Sequence, residues 1–512
     1  MADDNQKIAI NSVIIFVRLC VVSLVSIFAS RLVLDALGAS DYGLYNVVGG
    51  IVTLLNVINA AMLSTTYRFI AFEIGRKEEG APAKIFSTSF YIHLGLALLI
   101  LLLAFTVGDW YINHYLNVAE GKLDDALFVF HISVLTTAVS TLFIPFQGLQ
   151  VAYENFKDNA IIDIVSQSVK LLAIFLFIYS ETNRLRLYSI IMMAYTLLAG
   201  CMYVLNCRRL YSGVVSFRFI KDKVLVKSMW SYAVWTLFGA LASVGKNQGS
   251  ALIINLFFGT VVNAAYAVAN QLDGFVLVFA RSLNSAAVPQ ITKSVGGNNA
   301  GRSVTLACYI SKYTFFLMSL VAFPLLLEMD FVLGLWLKEV PETSAVFCKL
   351  IVLYSLIGCL GEGIPALVNA TGNIKVYQIV THTFTLLGLP VSFLLCKLGF
   401  AAEWVLIVFC IINFILAFIR LYLLKRIYDF DVRQFFKISY VRMFYVLVPM
   451  VAFYFIYLRI VTGGGVWIHF AGIMAAVLFL LAVFFTAGLE QRERAMIGSF
   501  LGRIFKRKPE SV

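Results

Sequence analysis

Arg18, Lys170, Lys246 and Arg281 stand inside long apolar runs, and Asp163, Asp273 and Glu362 are the acids that share such surroundings. A charge at the centre of a bilayer costs about 2.5–3.5 kcal/mol on insertion scales, so each of these groups should meet a partner or line a water-filled cavity. The excess is basic. A pump for cations needs a carboxylate to hold the cation or proton, whereas this interior is mainly basic.

The spacing of these residues sets out the chemistry open to each. Arg18 lies roughly 15 Å into the first apolar run at about 1.5 Å per residue, near the midplane. It can bind cargo or pair with a carboxylate on a neighbouring helix. Asp163, Gln167 and Lys170 follow i, i+4, i+7 spacing; Asp163 can neutralise Lys170 or another base, or carry protons. Lys246, Asn247 and Gln248 sit between Gly245 and Gly249, which suggests a loosened helix lining a cavity or polar packing favoured by small residues. Asn270 and Arg281 are eleven apart and share a helix face. Glu362 lies in Gly-Cys-Leu-Gly-Glu-Gly-Ile-Pro (358–365), a run that should bend its helix. It is a candidate ion or proton site, with His382 nearby; the competing reading of His382 is a core histidine. Arg31 and Asp35, four apart, should pair. Arg68, close to a span end, can snorkel to headgroups. Lys312 and Lys349 lie nearer span ends.

The surroundings follow from composition. Of 512 residues, 61% are hydrophobic and 13% charged, with mean hydropathy +0.89. A soluble domain of this length needs more charge at its surface. At roughly 20 residues per crossing, the apolar runs predict an all-α polytopic membrane protein with fourteen spans. These fall near 8–34, 43–72, 87–108, 125–150, 157–180, 187–207, 228–257, 262–292, 304–327, 344–371, 376–396, 403–425, 439–459 and 466–488. The first run is too long for a signal-peptide core and is expected to remain as a helix. The eight cysteines form no C-x-x-C pair and lie at no metal-ligand spacing, which predicts reduced packing residues. No Walker A, H-E-x-x-H or G-x-S-x-G motif occurs, so neither an enzyme, a cofactor nor a metal is expected. The net charge of +12 sits in loops beside the spans, which fits anchoring against anionic lipid and argues against nucleic acid.

Lys and Arg concentrate in alternate connecting segments, which places both termini in the cytoplasm by the positive-inside rule. The chain also repeats. Gly38 matches Gly259 and Tyr45 matches Tyr266 at an offset of 221 (259 − 38, 266 − 45). Ala152-Tyr153-Glu154-Asn155-Phe156-Lys157 and Ala370-Thr371-Gly372-Asn373-Ile374-Lys375 share Ala-x-x-Asn-x-Lys at an offset of 218 (375 − 157). The repeat predicts an N-lobe over 1–215 and a C-lobe over 216–435, each of six spans in the same orientation. Two further spans follow over 436–490, then a basic cytoplasmic tail over 491–512. Within that tail Met496, Phe500 and Ile504 are spaced for an amphipathic helix on the inner leaflet.

Leu37-Gly38-Ala39-Ser40-Asp41-Tyr42-Gly43-Leu44-Tyr45 resembles the L-G-x-x-x-[YF]-G-x-[YF] corner of bacterial polysaccharide transporters. These are the O-antigen flippases of the multidrug/oligosaccharidyl-lipid/polysaccharide (MOP) exporter superfamily. Residues 366–373 resemble a second family segment, Q-x-x-L-x-A-x-G-x, with Ile364-Pro365 in place of its polar start. The resemblance implies two lobes around a central cavity in a bacterial inner membrane. It implies alternating-access transfer of undecaprenyl-pyrophosphate-linked oligosaccharide from the inner to the outer leaflet, for O-antigen, capsule or exopolysaccharide assembly. Membrane lipids and, in that assembly, a polysaccharide polymerase and chain-length machinery are the partners it implies.

Two other functions remain open on the sequence. An ion-coupled drug or metabolite antiporter of the same fold should hold a carboxylate inside its first span, where this chain has Arg18. A membrane glycosyltransferase or polysaccharide polymerase should present a large charged outer loop, and the segments near 109–124 and 328–343 are small.

Overall fold

Apolar segments surrounded by lipid must satisfy their backbone polar groups internally, which for a single segment means a helix. The computed structural model describes residues 2–115, 121–178, 182–337, 339–428, 430–460, 465–491 and 493–495, and among these there is no strand. The helices in order are α1 (Ala2–Gly75), α2 (Pro82–Leu103), α3 (Asp109–Tyr115), α4 (Leu123–Ala152), α5 (Phe156–Ile178), α6 (Arg184–Leu210) and α7 (Lys223–Gly296). They continue with α8 (Ala300–Trp336), α9 (Ser344–Gly358), α10 (Gly363–Thr371), α11 (Lys375–Lys397), α12 (Glu403–Ile427), α13 (Val432–Phe435), α14 (Val441–Ile460) and α15 (Val466–Val483).

Twelve segments among the described residues are long and apolar enough to cross a membrane. Two of the long elements are each a pair of passes. α1 and α7 both run for 74 residues, and each is interrupted once: at Gly38 (φ 74°, ψ 166°) and at Gly259 (φ 81°, ψ −175°). A side chain would be strained at either φ, so glycine is what lets the chain turn there. Dividing α7 at Gly259, and counting the part of α1 beyond Gly38, brings the passes to fourteen. The chain is an all-α polytopic membrane protein. The predicted spans end early in one place: α8 continues through Pro324 to Trp336, with its break at Glu328 (φ −116°, ψ 30°).

The second matched pair of corners also shares a conformation. Glu154 (φ 62°) and Gly372 (φ 81°) both take a left-handed backbone where one helix ends and the next begins. They are 218 residues apart (372 − 154), the offset of the shared Ala-x-x-Asn-x-Lys segments.

The described residues form two compact units. The first comprises Met1–Ser243, Ser285–Ser303 and Asn369–Ile379. The second comprises Val244–Asn284, Val304–Val368 and the described residues from Val380 onward. Two short pieces of the later chain thus pack with the first unit, held by polar contacts. Glu154, its side chain almost fully buried, accepts from Lys293 Nζ (2.5 Å) and Gln290 Nε2 (2.6 Å). Arg68 donates from Nη2 to the carbonyl of Ala370 (2.8 Å).

The second unit is built on a large apolar core in which Ile254, Phe315, Phe323, Phe347, Val352 and Val446 are buried. Its last helices are tied down by acids. Glu328, buried at the α8 break, accepts from the Tyr457 hydroxyl and lies 2.7 Å from His469 Nδ1, which fixes α14 and α15 to α8. Lys312, fully buried on α8, pairs with Glu493, which also takes the Tyr313 hydroxyl at 2.7 Å. The amphipathic helix expected around Met496, Phe500 and Ile504 lies outside the described residues.

Candidate functional site

In the first unit Arg18 is held by α5. Its Nε lies 2.7 Å from Asp163 Oδ2, and the other carboxylate oxygen of Asp163 accepts from the Tyr203 hydroxyl on α6 at 2.9 Å. The i, i+4, i+7 row on α5 is real but does not pair internally. Asp163 turns to Arg18, Gln167 donates to the Tyr195 hydroxyl (3.1 Å), and Lys170 Nζ lies 4.9 Å from the centre of the Tyr195 ring. Of the two partners open to Asp163, the structure selects Arg18. Arg18 makes the ion-pair contact through Nε, which is enclosed without a well-aligned hydrogen bond. Its terminal nitrogens have no acceptor among the described residues, and the pair keeps about a quarter of its side-chain surface exposed (29% and 23%). A guanidinium with one edge beside a carboxylate and the other open has donors left for a second, bidentate anion.

In the second unit the carboxylates are satisfied differently. Asp273 accepts from the Ser355 hydroxyl on α9, and Glu362 accepts from the Asn284 amide on α7. Both donors are neutral. The run around Glu362 bends as expected: α9 stops at Gly358, residues 359–361 form a tight 3-10 turn, and α10 starts at Gly363. The bend lies hard against α8, where a Cβ on Gly363 would come within 1.9 Å of the Ala307 carbonyl and the Gly363 amide reaches Ser311 Oγ at 2.9 Å.

Lys246, Arg281 and Arg420 in this unit have no ion pair among the described residues. Lys246 rests on aromatic faces instead, 4.1 Å from the Tyr354 ring centre and 5.6 Å from that of Phe409. Arg281 is exposed, without a hydrogen-bond acceptor among the described residues. Arg420, on α12, is half-buried, and its Nε is enclosed without an acceptor. These groups are mutual electrostatic neighbours. Lys246 and Arg281 act on Asp273, and Arg281 and Arg420 act on Glu362.

Of the two readings open for the Gly245–Gly249 run, close packing is the one seen. The Gly245–Gly249 run is not loosened; α7 stays helical through it, and its one break is at Gly259. The glycines serve packing, since a Cβ at Gly249 would fall 2.7 Å from Leu389 on α11. Asn247 is exposed and its carbonyl takes a long contact from the Tyr266 hydroxyl (3.4 Å), while Asn270 donates back to Tyr266 within its own helix. Arg68 does not snorkel. It is buried against Phe69, Phe72 and Tyr232, with ring centres 4.6, 5.0 and 5.6 Å from its guanidinium carbon. That aromatic cage and the Ala370 carbonyl take the place of headgroup solvation. Lys349 lies 3.1 Å from Asp330. His382 is half-buried on α11. The side chain of Arg31 lies outside the described residues, so its pairing with Asp35 does too.

The residues that sequence reasoning missed are the neutral partners and one charge. Tyr203, Tyr195, Ser355 and Asn284 carry no signal on their own, because their roles depend on contacts across helices. Arg420 stands near the end of an apolar run, where an arginine is ordinarily an interfacial anchor.

No family model matches the sequence, and no curated protein matches it. Solved structures do. A MOP superfamily transporter from Pyrococcus furiosus, described by the reverse polarity of its binding pocket, aligns with TM-score 0.71 at 13% identity, over 83% of this chain and 96% of its own. An outward-facing multidrug resistance MATE family transporter of the MOP superfamily aligns with TM-score 0.70 at 12% identity, over the same shares of both chains. The MATE transporter ClbM in complex with Rb+ aligns with TM-score 0.68 at 14% identity, over 83% of this chain and 95% of its own. At such identities the likeness is one of architecture. The chain has the MATE-type fold found among MOP superfamily transporters.

Proposed function

We propose that the chain is a flippase for lipid-linked oligosaccharides, moving undecaprenyl-pyrophosphate-linked repeat units from the inner to the outer leaflet of a bacterial inner membrane. The observation that carries this reading is the state of the interior cations. Lys246, Arg281 and Arg420 have no carboxylate in ion-pair contact among the described residues, and Arg18 offers unused donors beside Asp163. Cations within a bilayer that lack counter-ions are costly, and an anionic cargo group would neutralise them. A pyrophosphate supplies several oxygens for planar guanidinium forks. In this reading the repeats 1–215 and 216–435 are the lobes that alternate access, both termini are cytoplasmic, and polysaccharide polymerase and chain-length machinery are partners. Asp163, Glu362 and His382 are the candidates for ion coupling, because no nucleotide motif is present to drive transport.

A second reading, an ion-coupled antiporter of drugs or metabolites, is favoured by one feature. Asp163, Asp273 and Glu362 are interior carboxylates, and a cation could displace Arg18 from the first of them. Expression in a flippase-deficient strain separates the two. Restored surface polysaccharide supports the flippase. Resistance to cationic drugs with no surface polysaccharide, at normal membrane abundance, supports the antiporter and rejects the flippase.

A further inference from the structure

Five charged groups of the second unit, Lys246, Asp273, Arg281, Glu362 and Arg420, interact electrostatically. Lys246 and Arg281 flank Asp273 electrostatically, and Arg281 and Arg420 flank Glu362. Asp273, Arg281 and Asn284 lie along the half of α7 beyond Gly259; Glu362 stands at the bend between α9 and α10, and Arg420 is on α12. Arg420 runs close by the bend, its Cδ 3.9 Å from where a Cβ on Gly361 would stand. Yet Glu362 takes its hydrogen bond from the Asn284 amide and makes no ion pair with either arginine.

An arginine beside a carboxylate in a low-dielectric interior would ordinarily close on it, because the charge-assisted bond is the stronger one. Here the carboxylate is retained by a neutral amide while both neighbouring guanidinium groups stay open. The carboxylate therefore balances their charge at a distance without occupying their donors. That arrangement suits a seat in which an incoming anion takes the donors and meets Glu362 as a like charge.

We propose that Arg420 and Arg281 are the anion-engaging pair of the second unit, and that Glu362, retained by Asn284, is a built-in competitor that weakens the seat enough for its occupant to leave. The occupant is a phosphate-bearing group, and this inference rests on the anionic-cargo reading above. It gives Glu362 a role opposite to that of a residue the cargo needs. Removing its charge should strengthen binding, whereas removing Arg420 should weaken it. Transport requires release as well as capture, so the tighter seat turns over more slowly.

The test is binding of inorganic pyrophosphate, and separately of a short-chain polyprenyl-pyrophosphate oligosaccharide, to the purified full-length chain in detergent. Arg420→Gln should lose about tenfold or more in affinity, as expected for one charge-assisted contact. Glu362→Gln, which keeps an acceptor for Asn284, should gain about threefold or more from the loss of one nearby like charge. Arg281→Gln and Arg420→Lys, each checked for an unchanged melting temperature, serve if Arg420→Gln does not accumulate. Equal gains with both probes assign the seat to the phosphate groups alone; a gain confined to the lipid-linked probe assigns it to the lipid-borne headgroup. Wild-type binding with equal or weaker binding by Glu362→Gln overturns the competitor role while leaving the anionic-cargo reading intact. No binding of either probe by wild type or Glu362→Gln overturns both.

Discussion

Gly75 and Gly296 meet each other's helices reciprocally: a Cβ on Gly75 would lie 2.1 Å from the carbonyl oxygen of Lys293, and a Cβ on Gly296 would lie 2.1 Å from that of Phe72. The glycines are 221 residues apart (296 − 75), and so are the carbonyls they face (293 − 72). This is the offset of the helix breaks at Gly38 and Gly259. Each helix end presents the same two positions to the other, as self-complementary contacts between related copies do. The same offset thus recurs in packing as well as in corners, and both contacts fall within the first unit.

The crossing leaves no room for a side chain. Gly75→Leu and Gly296→Leu should each lower the melting temperature of the detergent-purified protein, since overpacking ordinarily costs about 1–3 kcal/mol. Substitution at Gly301, which has open space around it, should not. Unchanged melting in Gly75→Leu would show that the helix ends do not pack as described.

Arg68 and Gly372 make a second close contact. A Cβ on Gly372 would stand 2.5 Å from Arg68 Nη2, in a backbone already at φ 81°. Gly372→Ala should therefore destabilise through both strain and the displaced guanidinium. Arg68→Leu should cost stability as well, by leaving the Ala370 carbonyl without its donor. Combining the two changes should cost less than the sum of the single effects, because they act on one contact. Strict additivity of melting shifts would mean that the residues act independently.

Asp222 connects the segment after α6 to α2 and α7. Its carboxylate lies 2.7 Å from Lys84 Nζ and caps α7 by accepting from the Leu225 amide at 2.9 Å. The hydrogen bond from Lys84 and then that from the backbone hold its carboxyl below the usual carboxylate range. A depressed folded-state pKa gives stability that is present above the unfolded value, about 3.9, and is lost as pH falls through the folded value. Asp222→Asn keeps a cap and removes the charge. It should melt slightly below wild type at pH 7, and the difference should shrink toward pH 3. A difference that grew on acidification would contradict this linkage.

Arg18 can be tested against its own partner. Arg18→Ala strands Asp163, so lost transport could reflect lost folding. Removing both charges in Arg18→Ala with Asp163→Ala removes that penalty. The double variant should recover membrane abundance but not surface polysaccharide, and Arg18→Lys should restore only part of it, since an ammonium lacks the planar fork. Full surface polysaccharide from the double variant would reduce Arg18 to a structural role.

Much of the fold was legible because it is local. Apolar run lengths give the spans, and glycines at matched offsets give the breaks at Gly38 and Gly259. The bend at Glu362 follows from its flanking glycines and proline. The sites were legible only as a set of interior charges. Which of them pair was not, because Arg18 and Asp163 lie on different helices and Ser355 reaches Asp273 across 82 residues. The sequence also misjudges Arg68, whose aromatic cage includes Tyr232 from far along the chain. Periodicity places a side chain on a face; it does not say which helix that face meets.

The central claim is that the cargo is an anionic lipid-linked oligosaccharide. Its most direct test is reconstitution of the purified chain into liposomes carrying a fluorescent polyprenyl-pyrophosphate oligosaccharide, with leaflet exposure followed by quenching from outside. Protein-dependent transfer between leaflets is expected, strongly reduced in Arg18→Ala and in Arg420→Gln. Absence of transfer from correctly folded wild-type protein, together with gradient-driven movement of a cationic dye in the same liposomes, would contradict it.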